Sequence, residues 1–149
     1  MAHESPLPML INLAQDKVEE AGRTLHELSS QRTHAQSQLS VLDTYRSDYT
    51  QRLQQTTEGG VSASNYHNFR RFIATLDEAI SQQNRVVAQI DARIQAGQQE
   101  WYAEKRRLSS FETLKARQDH QLRHHEQRLE QRASDEASAN LHRRAMRHQ

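Results

Sequence analysis

Apolar residues in the first third of the chain recur at alternating steps of three and four: Ile11, Ala14, Val18, Ala21, Leu25, Leu28, Ala35, Leu39, Leu42, Tyr49 and Leu53. Only Arg32 and Arg46 interrupt the series. A 3.5-residue period held over about six heptads keeps these side chains on one stripe of an α-helix, as a coiled-coil seam requires. Gln, Ser, Thr and charged residues occupy most of the remaining positions. Ser5 is a candidate cap, and Pro6 and Pro8 stand where a helix start leaves N–H groups without intrahelical partners. The pattern predicts a first helix over 6–56.

The seam stops at Thr57-Glu58-Gly59-Gly60-Val61-Ser62-Ala63-Ser64-Asn65. Gly-Gly frees the backbone to turn, and Ser62, Ser64 or Asn65 can cap the next helix. A second seam then runs through Phe69, Ile73, Leu76, Ile80, Gln83, Val87, Ile90, Ile94, Gly97, Trp101, Glu104, Leu108 and Phe111. It predicts a turn over 57–65 and a second helix over 66–141. Two such helices bury seam against seam by folding back on each other. The expected fold class is therefore all-α, an elongated antiparallel two-helix coiled coil with 1–149 as a single hairpin.

At 1.5 Å per residue the first helix spans about 75 Å and the second about 110 Å. Folding near Gly60 exhausts the first arm near position 115, where the second seam also thins. From about residue 118 the second helix is expected to project alone. An isolated polar helix is marginal in water, so this overhang calls for a partner or frays.

Composition narrows the class. Leu, Ile, Val and Phe supply only 27 of 149 residues, below roughly one fifth, which argues against a large compact core. Disorder usually combines that poverty with a large net charge, yet 20 bases here nearly cancel 19 acids. Four Gly and two Pro fit long helices instead. The absence of Cys excludes disulfides and thiolate chemistry. No apolar run approaches the roughly 18 residues of a membrane helix. LPMLINLA has no basic segment before it, since the first Lys or Arg is Lys17, and a soluble cytoplasmic chain is expected. Charge is uneven: residues 1–68 hold five bases and eight acids, and 69–149 fifteen bases and eleven acids.

Catalysis finds no constellation. His26-Glu27 and His125-Glu126 begin like a zinc-protease motif, but Ser30 and Leu129 occupy the place of its second His. No Gly-rich phosphate loop is present, so no enzyme activity, cofactor or resident metal is expected. His120 and His124 share a helix face and read as a solvated pair lacking a third ligand. Arg70-Arg71, Lys105-Arg106-Arg107 and Arg143-Arg144 leave open a helical hairpin that binds nucleic acid, although acids interrupt each stretch. Around Phe72 the apolar stripe is wider than a two-stranded seam can bury. Phe72 and Ala79 fall to one side, with Leu76 between them and the seam. Exposed large aromatics of this kind mark contacts.

The order of these features resembles one family. The N-terminal heptad helix, the Gly-Gly turn, the stretch from Asn68 to Ile80, Trp101 with Lys105-Arg106-Arg107-Leu108, Glu112-Thr113-Leu114 with Arg117, Asp135-Glu136 and Ala145-Met146-Arg147 are similar to FliJ, the coiled-coil protein of the bacterial flagellar type III export apparatus. The resemblance implies a stalk like that of the gamma subunit of rotary ATPases, inserted in the hexameric export ATPase FliI. It also implies contact with the cytoplasmic domain of the export gate FlhA, and escort of chaperones such as FlgN and FliT. It carries no nucleic-acid partner, and places the protein at the cytoplasmic membrane only peripherally, through the gate. The family's gate-binding stripe falls on Phe72, Leu76 and Ala79, with Gln83 where a His is typical. The ATPase-facing regions fall on Leu13, Lys17 and Glu20, and on Arg143, Arg144 and Arg147. A stalk or adaptor of a virulence type III secretion system shares the design.

Overall fold

The computed structural model describes residues 5–60 and 62–148, so the Val61 step of the expected turn lies outside the described residues. Its regular structure is two helices, α1 (Leu7–Glu58) and α2 (Ala63–Arg147). They pack against each other as the antiparallel arms of an all-α coiled coil, and no strand occurs among the described residues.

Local chemistry sets the helix ends. Ser5 Oγ accepts the Leu7 N–H at 3.2 Å, and the Pro6 carbonyl accepts the Leu10 N–H at 3.1 Å. At the other end of α1 the Gly59 N–H reaches Gln55 O at 3.1 Å. Gly60 then turns left-handed at φ +76°, a conformation that penalises a Cβ by about 1–2 kcal/mol. Ser62 supplies the cap of α2: its Oγ accepts the Asn65 N–H at 3.4 Å and its carbonyl the Tyr66 N–H at 3.2 Å.

The described residues form two compact units. One runs from Val18 to Ala103 and contains the turn. Its core is built on Ala35, Leu39, Leu76 and Ile90, all under 9% exposed. Every other seam position in this unit is half-buried except Arg32 and Arg46. The seam also uses missing side chains. A Cβ on Gly97 would lie 3.0 Å from Leu25 Cδ2, and one on Gly22 would lie 3.8 Å from Trp101 Nε1. Small residues in the seam or beside it let the opposite side chain come close.

The two Arg that interrupt the first seam find acids on α2. Arg32 donates from Nε to Asp91 Oδ1 at 2.5 Å, and Arg46 donates from Nε to Asp77 Oδ1. Hydrogen bonding to the carboxylate, reinforced by its charge, raises both guanidinium groups above their ordinary value. Each charge stays roughly half-exposed, so the seam gains these groups without burying them.

The second unit joins the residues up to Lys17 with those from Glu104 onward. Leu7, Ile11 and Ala14 are buried in it, and Glu104, Leu108 and Phe111 half-buried. From Glu112 to Arg147 every residue of α2 is exposed. This segment remains helical while burying no apolar stripe of its own.

Candidate functional site

The two flanks of the seam in the Val18–Ala103 unit differ in chemistry. In heptad terms Phe72, Ala79 and Val86 occupy one flank position of α2, recurring every seven residues. Phe72 is 43% exposed, Val86 41%, and Ala79 is half-buried. On α1, Val41 and Tyr45 lie one turn apart and are 50% and 53% exposed. Tyr49, the next turn, carries the flank across to α2. Its ring centroid lies 4.5 Å from that of Phe72 and 6.1 Å from that of Phe69. Arg52 caps this group, with its guanidinium 5.4 Å from the Tyr49 ring. Beside it, Tyr49, Asn65, Asn68, Phe69 and Phe72 line an open hollow of about 270 Å³.

Of the five large hydrophobics exposed in this unit, Val41, Tyr45, Phe72 and Val86 belong to this flank, and only Tyr102 lies elsewhere. Their clustering separates them from scattered surface apolars, which carry no meaning singly. The opposite flank holds the two Arg–Asp pairs.

The gate-binding stripe read from the sequence is divided by the structure. Phe72 and Ala79 contribute to the surface. Leu76 is 7% exposed and belongs to the core, supporting the flank from beneath. Gln83 is half-buried, and its Nε2 donates to Ala35 O at 2.9 Å and to Gln38 Oε1 at 3.1 Å, tying α2 to α1. Sequence reading missed Val41, Tyr45 and Val86. The seven-residue step from Phe72 through Ala79 was the signal for Val86. The α1 residues join the flank only once the pairing of the two helices is known.

Leu13 is 51% exposed, and Lys17 and Glu20 are exposed at the next two turns of α1. Arg143, Arg144 and Arg147 are exposed near the end of α2, the last two in its final turn. The His120 and His124 rings stack at 6.5 Å and 9°. Among the described residues no three metal-ligating side chains converge, and no polar or charged residue is buried. Likewise, no helix is long and apolar enough to cross a membrane.

These features define the chain as an all-α, antiparallel two-helix coiled coil with one aromatic flank and a long exposed helical segment. The family model described as "Flagellar FliJ protein" matches residues 3–147. The "Flagellar FliJ protein" of Escherichia coli (strain K12) is 32% identical over 136 residues, covering 91% of this chain and 92% of that protein. That of Salmonella typhi is 31% identical over the same length and coverage. The chain belongs to the FliJ family of flagellar proteins.

Proposed function

We propose that this protein is a non-enzymatic component of flagellar protein export, acting in the cytoplasm. In this reading it serves as a coiled-coil stalk in the FliI ATPase ring, contacts the cytoplasmic domain of the export gate FlhA, and escorts chaperones such as FlgN and FliT. It meets the membrane only through the gate. The observation that carries the reading is the exposed aromatic flank, where Phe72 and Tyr45 stay uncovered although the seam beside them is closed. Desolvated aromatic anchors are what dominate protein–protein affinity. The uncovered Arg-bearing segment from Glu112 to His148 supports the ring contact, because a ring can supply the cover that this helix lacks.

The test is a binding assay of the full chain with the export ATPase and the gate's cytoplasmic domain from the same bacterium, alongside duplex DNA and RNA. Binding to both proteins with stimulated ATP hydrolysis supports the reading. Salt-sensitive retention on nucleic acid with neither protein bound refutes it.

A further inference from the structure

Arg32 and Arg46 are 14 residues apart on α1, and their partners Asp91 and Asp77 are 14 residues apart on α2. The spacing is two heptads on each arm, so one alignment of the helices closes both pairs together. Apolar layers cannot make that choice. A slip of one heptad takes Leu25, now against Gly97, to Ile90, which fills the seam as well or better. Heptad seams therefore tolerate slips of seven residues unless a polar seam residue forbids them.

We propose that Arg32 and Arg46 are positioning residues that select the register of the hairpin, and with it the assembly of the aromatic flank from two helices. The same one-heptad slip puts Arg46 opposite Arg70 and Arg32 opposite Asn84. The opposite slip gives them Asn84 and Gln98. Slips of two heptads keep one pair at most. In every alternative an arginine loses its carboxylate, and in two it meets a like charge, Arg46 facing Arg70 or Arg32 facing Lys105. Register matters here because Tyr49 meets Phe72 only in the native alignment. Displaced by seven residues, α1 carries Tyr49 away from Phe72 and sets Tyr45 and Val41 against a different stretch of α2. The register claim stands on the ion pairs; its consequence for docking rests on the function proposed above.

Cysteine cross-linking tests it, as the chain has no Cys. Asn84→Cys combined with Gln36→Cys reports the native alignment, and with Ser29→Cys or Asp43→Cys the two slipped ones. In the parent sequence only the 36–84 disulfide is expected to form under mild oxidation. In the Arg32→Leu/Arg46→Leu background, yields of the 29–84 or 43–84 bond should rise at least about tenfold, while Tm increases because the α1 seam becomes fully apolar. Exchanging charges at both pairs (Arg32→Asp with Asp91→Arg, Arg46→Asp with Asp77→Arg) should return the 36–84 bond alone. A purely stabilising role gives a different result: Tm falls and the 36–84 bond remains the sole product. That outcome, or a leucine variant confined to the native bond at any Tm, overturns the proposal, and neither depends on a binding partner.

Discussion

The rings of Tyr49 and Phe72 meet across the hairpin with centroids 4.5 Å apart and planes inclined by 44°. Phe72 thus has one face against α1 and nearly half its surface in solvent. An aromatic pair contributes about 0.5–1.5 kcal/mol beyond area burial, and part of the ring's apolar surface is covered. Phe72→Ala should therefore lower stability by about 1–2 kcal/mol while leaving helicity intact. Circular dichroism melting decides this; a loss above about 3 kcal/mol would class Phe72 with core residues.

Two glycines at the helix interface, Gly97 in the seam and Gly22 beside it, should respond in opposite directions. A Cβ at Gly22 meets Trp101 at ordinary contact distance, 3.8 Å, so Gly22→Ala should stabilise the hairpin by up to about 1 kcal/mol through helix propensity. At Gly97 the Leu25 methyl is already 3.0 Å from a Cβ, so Gly97→Leu should cost about 1–3 kcal/mol through overpacking. Urea titration of both variants checks the signs.

Gly60 holds its left-handed turn with nothing within 4 Å of a Cβ. Gly60→Ala therefore meets backbone strain alone, and should lower unfolding free energy by about 1–2 kcal/mol. The neighbouring Gly59→Ala lies outside the left-handed region and should be milder. Parallel denaturant melts of the two variants provide the comparison.

The segment beyond Lys115 contains no buried or half-buried residue, as every residue from Glu112 to His148 is exposed. A chain ending at Lys115 should keep the melting midpoint of the hairpin to within a few degrees. Under the proposed function it should also lose stimulation of the export ATPase. Cooperative unfolding lost on truncation would show that the segment supports the hairpin.

The seams were legible because burial follows the heptad period directly: the apolar seam positions from Ile11 to Leu53 are all buried or half-buried. The excess width at Phe72 was legible for the same reason. Arg32 and Arg46 were not, because their partners lie 59 and 31 residues away and become neighbours only at one register. Tyr45 and Val41 were hidden likewise, since no local pattern says which flank of the other helix they face. Leu76 shows the limit of angular reading. Its direction fell between seam and flank, and packing placed it at 7% exposure, inside the core.

The central claim, that the aromatic flank is the surface on which a partner docks, is tested most directly by isothermal titration of the full chain with the export gate's cytoplasmic domain. The comparison is between the parent, Tyr45→Ala/Phe72→Ala and Tyr102→Ala, the last altering an equally exposed aromatic off the flank. The expected result is at least about a tenfold loss of affinity for the flank variant, the scale of a single hot spot, with Tyr102→Ala unchanged. Parent-like binding by a folded flank variant, or an equal loss in both, would contradict it.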